Sequence, residues 1–132
     1  MELRKNKLSE IGKDYFSSLT NLRFLFLNEN EITILSIRSF EFQNKLEELY
    51  LNENYLKSIE LNTFQSLNKL RVLDLSHNRF QEIDENYFLN LTNLEKLNLE
   101  GNLLKILNKK VLVKLENLLE LVLSDNHLKK IE

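Results

Sequence analysis

Residues 25–30 read LFLNEN, and residues 49–54 read LYLNEN. The two stretches differ at one position and lie 24 residues apart. The same phrase continues at that spacing along the chain: LRFLFLNEN from Leu22, LEELYLNEN from Leu46, LRVLDLSHN from Leu70, LEKLNLEGN from Leu94 and LLELVLSDN from Leu118. A constant period of this length indicates a repeat protein in which each unit stacks on the next.

Each copy of the phrase has the pattern of a short β-strand with one buried face. Its fourth and sixth residues are apolar, whereas the third, fifth and seventh are mostly not. The segments between the phrases are too short for long helices. Because the leucines of one repeat have no core of their own, we expect them to be buried between neighbouring repeats.

Residues that lie 24 positions apart form columns across the stack, and two columns predict internal roles. Where the chain leaves each strand, an asparagine can satisfy backbone groups that lack a partner, in the loop of its own repeat and of the next. A phenylalanine column is expected to pack as core on the far side of the coil, with rings in edge-to-face contact. Gln43 interrupts a leucine column, and the adjacent Phe42 predicts a local slip that brings its ring into the gap. The asparagines are Asn6, Asn30, Asn54, Asn78, Asn102 and Asn126; the ring column is Phe16, Phe40, Phe64 and Phe88, followed by Leu112.

The resulting pattern, LxxLxLxxNxLxxLxxxxFxxLxx, resembles the leucine-rich repeat in its 24-residue form. This form is typical of Toll-like receptors and variable lymphocyte receptors. The resemblance implies an α/β-type solenoid of mostly strand and coil, right-handed and curved, with a parallel sheet on its concave side. We therefore predict a single domain over residues 1–132, with a partial repeat at 1–21 and repeats beginning near residues 22, 46, 70, 94 and 118.

The two ends of the predicted stack have no cysteine-rich caps. Terminal repeats of solenoids normally carry a polar outer face, so uncovered apolar side chains are expected at the last repeat. The simplest interpretation is a fragment, although a partner, a second copy or missing sequence would explain the ends equally well. Fraying or self-association through the uncapped ends is the expected consequence. The side chains concerned are Leu118, Leu121, Leu123, Leu128 and Ile131.

Composition places the chain in the globular class and limits its chemistry. It is 42% hydrophobic and 29% charged with a net charge of −2, and it has no cysteine for disulfides or thiolate sites. No apolar run is long enough to span a bilayer, and the first residues do not resemble a secretory signal. The repeat type favours an extracellular or cell-surface location, whereas the missing signal leaves a cytoplasmic one open. Asn90 begins a single glycosylation sequon, a weak signal in a chain with 18 asparagines.

No residue pattern indicates an enzyme, a cofactor site or a metal site. Asp74, Ser76 and His77 lie close together, but no buried acid is expected behind the imidazole to orient it. His77 and His127 are two repeats apart, which is too far for a shared metal ion. The two glycines of the chain cannot form a phosphate-binding loop.

The outward-facing strand positions supply the candidate binding site. Phe24, Phe26, Tyr50 and Val72 are expected on one exposed face, where an apolar patch usually serves binding. Over this face and the adjoining strand ends, three cations stand against eight acids, Glu48 and Asp74 among them, so the predicted partner is a protein with a basic or neutral surface rather than a nucleic acid. The second strand position alternates in sign through Arg23, Glu47, Arg71 and Glu95, which predicts cross-strand ion pairs of structural value.

We therefore interpret the chain as a protein-recognition module that binds a protein partner through its concave face, similar to part of a cell-surface or secreted leucine-rich repeat receptor. An intracellular scaffold that uses the same surface and a structural spacer without a ligand remain the alternatives.

Overall fold

The computed structural model describes all residues, 1–132, as a stack of coils with one five-stranded parallel sheet. The sheet has the order β2-β4-β5-β6-β8. Two smaller two-stranded parallel sheets pair β1 with β3 and β7 with β9. The strands are β1 (Glu10–Ile11), β2 (Phe24–Phe26), β3 (Ile34–Leu35), β4 (Glu48–Tyr50), β5 (Val72–Asp74), β6 (Lys96–Asn98), β7 (Ile106–Leu107), β8 (Glu120–Val122) and β9 (Lys130–Ile131).

The register of the sheet follows the 24-residue period without a shift. Leu25 pairs with Leu49, Leu49 with Leu73, and Leu73 with Leu97, and these side chains are fully buried. Their neighbours in each strand point to the opposite face, as the alternation requires. The predicted solenoid fold is therefore confirmed, and its core of 28 buried apolar residues runs continuously through the stack.

The asparagine column forms a ladder of hydrogen bonds between repeats. Asn54 Nδ2 donates to the carbonyl of Leu27 in the preceding repeat at 3.0 Å and to that of Leu51 in its own at 3.1 Å. Its Oδ1 accepts from the Ile32 N–H at 2.9 Å. The predicted role is confirmed, with the difference that each amide reaches back to the preceding repeat and not forward to the next. Asn6, in the first coil described, bonds only to the carbonyls of Leu3 and Arg4.

The phenylalanine column is buried, as predicted, but its geometry differs from the edge-to-face packing expected. Phe16 and Phe40 stack with ring centroids 6.2 Å apart and an interplanar angle of 7°. Phe40 and Phe64 lie 6.0 Å apart at 31°. The first pair is therefore nearly parallel and the second is tilted. At the fifth coil, the 3₁₀ helix Lys109–Leu112 buries Val111 and leaves Leu112 half-buried.

The predicted slip at Gln43 is wrong. Gln43 keeps the register and is buried, whereas Phe42 stays 41% exposed on the outer coil. The Gln43 side chain is accommodated because its Nε2 donates to the Phe16 carbonyl at 2.7 Å. Its Oε1 has no hydrogen-bond partner. Column position thus decides burial here, and the polarity of the side chain does not.

One backbone feature recurs where each strand ends. The residue before every ladder asparagine has a positive φ, and only one of the six, Gly101, is a glycine. The turn therefore accepts charged residues in the left-handed region of φ and ψ, where glycine is the more usual residue. These six residues are Lys5, Glu29, Glu53, His77, Gly101 and Asp125.

Candidate protein-binding face

The structure brings the six predicted site residues together on three adjacent strands. Phe24, Glu48 and Val72 occupy one row across β2, β4 and β5, and Phe26, Tyr50 and Asp74 occupy the next row. All six point away from the core because they alternate with the buried Leu25, Leu49 and Leu73. We call these six residues the sheet-face patch.

Phe26 and Tyr50 form the most ordered part of the patch. Their rings stack with centroids 4.9 Å apart and an interplanar angle of 4°, and both side chains are half-buried. The Tyr50 hydroxyl donates to Glu48 Oε2 at 2.8 Å. Burial, this hydrogen bond and the charges of Glu48 and Asp74 raise the pKa of Tyr50 to about 12. The phenol is therefore neutral at physiological pH, and its ring is held in place before any partner arrives.

Phe24 is the most exposed ring of the patch. It is 39% exposed, and the guanidinium carbon of Arg23 lies 5.4 Å from its ring centroid. Val72 is half-buried two strands away in the same row. The patch thus offers one accessible ring beside a fixed pair of stacked rings.

Asp74 is held inside the protein's own hydrogen-bond network. Its Oδ1 accepts from the Ser76 N–H at 2.9 Å and from the Ser76 hydroxyl at 2.6 Å, and its Oδ2 accepts from Asn98 at 3.3 Å. Ser76 is buried, and the exposed His77 ring makes no hydrogen bond to it. Asp74, Ser76 and His77 therefore do not form a nucleophile, base and orienting acid. A Cβ at Gly101 would collide with the His77 ring, so that imidazole packs over the glycine of the next repeat.

Charge on this side of the molecule is unbalanced. Three acids of the face are paired with cations, Glu2 with Arg4 at 3.1 Å, Glu29 with Lys5 at 3.7 Å and Glu120 with Lys96 at 3.0 Å. The remaining acids make no ion pair, so the negative excess of the face is not neutralised by the protein itself. These unpaired acids are Glu48, Glu53, Asp74, Glu100 and Asp125.

The alternating row beside the patch forms the predicted cross-strand ion pairs. Arg23 binds Glu47 through two hydrogen bonds of 2.8 and 2.9 Å. Arg71 binds Glu95 through two bonds of 2.9 Å. The hydrogen bond from Arg23, and then its charge, lowers the pKa of Glu47, and Arg71 does the same for Glu95. These four charged side chains are already paired within the protein, which favours a structural role.

One arrangement was not foreseen from the sequence. Arg79 places its guanidinium carbon 4.2 Å from the centroid of the Tyr55 ring, on the flank that follows the ladder asparagines. The two residues are 24 positions apart, so a comparison of columns on this flank is the signal that would have found it.

No group of three or more His, Asp or Glu side chains has an arrangement that could hold a metal ion. No helix of the chain has the length and apolar character to cross a bilayer.

Known proteins resemble the chain in both sequence and structure. The sequence profile of the Leucine rich repeat family matches residues 1–51, 34–80 and 69–128. The chain belongs to the leucine-rich repeat family. A leucine-rich repeat protein of Leptospira interrogans is 31% identical and superposes with a TM-score of 0.84 over 95% of this chain and 31% of that one. A protein chain in the structure of a TLR13–ssRNA13 complex is 27% identical in sequence, and it superposes with a TM-score of 0.78 over 95% of this chain and 21% of that chain.

These similarities cover only part of each known protein and support a general role rather than a specific one. The chain spans about a third and about a fifth of the two similar structures. No curated protein sequence matches it significantly. The leucine-rich repeat is a generic protein-interaction module and is typically a non-enzymatic scaffold, and the fold of this chain agrees with that class.

Proposed function

We propose that this leucine-rich repeat chain recognises a protein partner through the sheet-face patch. The observation that carries the proposal is the ring arrangement of Phe24, Phe26 and Tyr50. The rings of Phe26 and Tyr50 are stacked, the Tyr50 hydroxyl is hydrogen-bonded to Glu48, and the ring of Phe24 is accessible beside them. Aromatic side chains held in place before binding lose little entropy when a partner covers them, which is typical of binding hot spots.

The charge of the face defines the class of partner. Glu48 lies within the patch, and Glu53 and Glu100 lie at neighbouring strand ends without ion-pair partners. A basic or neutral protein surface would approach this face favourably, whereas a phosphate backbone would be repelled. One similar structure is a TLR13–ssRNA13 complex. We expect no binding of single-stranded RNA at the sheet face of this chain, because the charges of this face that lack a partner are acidic.

The size of the face suggests that the contact extends beyond it. The five strands and the bridge between Glu2 and Phe26 span five gaps of about 4.8 Å, and an exposed stretch of seven or eight residues is about 25 Å wide, so the face offers on the order of 600 Å². A standard interface takes about 800 Å² from each partner. Binding by this chain alone is therefore expected to be weak and concentrated on the patch.

The 24-residue form of the repeats supports a role as part of a cell-surface or secreted receptor. An intracellular scaffold would use the same face. A spacer without a ligand would bind no protein at this face. A crosslinking experiment therefore distinguishes a spacer from a receptor or a scaffold.

The test is site-specific photo-crosslinking. A photoreactive phenylalanine analogue is placed at Phe24, which is 39% exposed, or at Phe42, which is 41% exposed on the outer coil. We expect a protein of the source organism to crosslink at position 24 and not at 42, and its purified form to bind the unmodified chain. Identical crosslinking at both positions, or none at 24, would contradict the proposal.

A further inference from the structure

A second charged surface lies on the flank of the stack that follows the ladder asparagines. Lys57, Arg79, Lys105 and Lys129 are all exposed there, in four successive repeats. Lys57, Lys105 and Lys129 belong to one column, and Arg79 lies in the column two residues earlier. We call these four residues the basic rim.

None of the rim cations is neutralised by the protein. Nine ion pairs occur in the structure, and none of them includes a residue of the basic rim. Glu82, which lines the same groove as Lys57, Arg79 and Lys105, also makes no ion pair. On the opposite edge of the sheet, by contrast, Arg23 and Arg71 are each bound by two hydrogen bonds to an acid. The rim therefore leaves its positive charge available to another molecule.

Apolar surface accompanies these cations. Tyr55 is 41% exposed, Leu103 38% and Ile106 48%. Lys57, Arg79 and Lys105 line one open groove together with Ile106. A ligand on this flank would therefore meet positive charge and apolar side chains at the same time.

The rim is also held in a fixed form. The Arg79 guanidinium rests on the Tyr55 ring at 4.2 Å, which orients the cation without using an acid and leaves its N–H groups free. The main-chain N–H of Arg79 donates to the Leu56 carbonyl at 2.8 Å, and the main-chain N–H of Lys129 donates to the Lys105 carbonyl at 3.0 Å. These bonds join successive repeats, so the backbone beneath the cations is ordered before binding.

We propose that the basic rim binds an acidic protein segment that also carries apolar side chains. The unpaired cations account for the acidic residues of such a segment. Tyr55, Leu103 and Ile106 account for the apolar ones, which a sulfated or phosphate polymer would not supply. This surface is separate from the sheet-face patch and opposite to it in charge, so one chain can contact a basic or neutral surface and an acidic segment at once.

The probe for the test is a fluorescent peptide of repeating Glu-Glu-Leu, compared with a peptide in which serine replaces each leucine. Binding is measured by fluorescence anisotropy at low and at physiological salt. The rim variant is Lys57→Gln with Lys105→Gln. The matched control is Lys69→Gln with Lys114→Gln, which removes the same charge from two lysines that also make no ion pair.

We expect the rim variant to weaken binding of the leucine-containing peptide about tenfold, because two surface charge contacts are lost. The control variant should bind as the unmodified chain does, and the serine peptide should bind more weakly than the leucine peptide. Equal binding by both variants, or no binding of the leucine peptide, would overturn the proposal. Equal or tighter binding of heparin or a single-stranded oligonucleotide would overturn it as well, since the rim would then be a general polyanion site. The variants keep the sheet-face patch intact, so failure here leaves the proposed function standing.

Discussion

The Nδ2 atom of Asn78 donates to the main-chain carbonyl of Leu51, 27 residues earlier in the chain, at 2.9 Å. That carbonyl also accepts from Asn54 at 3.1 Å, so two successive ladder asparagines share one acceptor. The Oδ1 atom of Asn78 accepts from the Leu56 N–H at 2.9 Å. From Asn30 onward, the ladder therefore ties each repeat to the preceding one through main-chain groups.

The ladder predicts a strong dependence of stability on position. Asn78→Ala leaves the buried Leu56 N–H without a partner and should lower the free energy of unfolding by about 2–3 kcal/mol. Asn6→Ala removes bonds only within an exposed first turn and should cost less than about 1 kcal/mol. Urea denaturation of the two variants measures the difference. Equal losses at Asn6 and Asn78 would mean that the amides do not connect the repeats.

The buried amide of Gln43 predicts a stabilising substitution. Its Oε1 has no partner, and the Phe16 carbonyl that accepts from its Nε2 also accepts from the Leu19 N–H at 2.8 Å. Gln43→Leu therefore removes an unsatisfied acceptor and leaves no new one, and we expect a gain of about 1 kcal/mol in the free energy of unfolding.

The matched control for that change is Leu67→Gln, which introduces an amide at the same position of the next repeat. This variant should lose stability, because Leu67 is fully buried. Thermal melts of both proteins suffice. A Gln43→Leu protein that melts below the unmodified chain would show that the glutamine side chain is required for packing.

The Tyr50 phenol predicts a pH dependence at the alkaline end. Its pKa is raised from 10.0 to about 12 in the folded protein, so the unfolded chain releases this proton first as pH rises. The contribution of Tyr50 to stability is therefore complete below pH 10 and is lost progressively between pH 10 and about 12. Tyr50→Phe should be less stable than the unmodified chain at neutral pH, with the gap narrowing over that interval.

Urea denaturation at a series of pH values provides this comparison, because the other titrating groups are common to both proteins. A stability gap that stays constant up to pH 12 would show that the hydroxyl does not hold its proton in the fold.

Much of the architecture could be predicted because it depends on a repeating local pattern. The strand positions and the asparagine ladder follow from the 24-residue period, and Leu25, Leu49 and Leu73 are buried as the alternation requires. The exchange of roles between Gln43 and Phe42 could not be predicted from hydrophobicity. Phe40 and Leu46 on either side already fix the register, so the column places the polar residue inside and the ring outside.

The candidate site could be located from the sequence, but its internal contacts could not. Alternation puts Phe26, Tyr50 and Asp74 on one face, whereas their rotamers depend on neighbours one repeat away in the chain. The Phe26 and Tyr50 rings could equally have pointed apart, and Asp74 could have been free instead of bonded to Ser76 and Asn98. The sequence did not indicate the positive φ values at Glu29 and Glu53, because neither residue is a glycine.

We propose that the stacked rings of Phe26 and Tyr50 serve binding more than folding. The most direct measurement is the dissociation constant of the partner captured at Phe24, determined for the unmodified chain and for the double variant Phe26→Ala, Tyr50→Ala, with a urea melt of each protein. We predict that binding weakens by more than about 2 kcal/mol while the double variant still folds, since the free energy of unfolding loses only the roughly 0.5–1.5 kcal/mol of the ring pair and the partial burial of the two side chains. An affinity that does not change, or a double variant that no longer folds, would contradict the account.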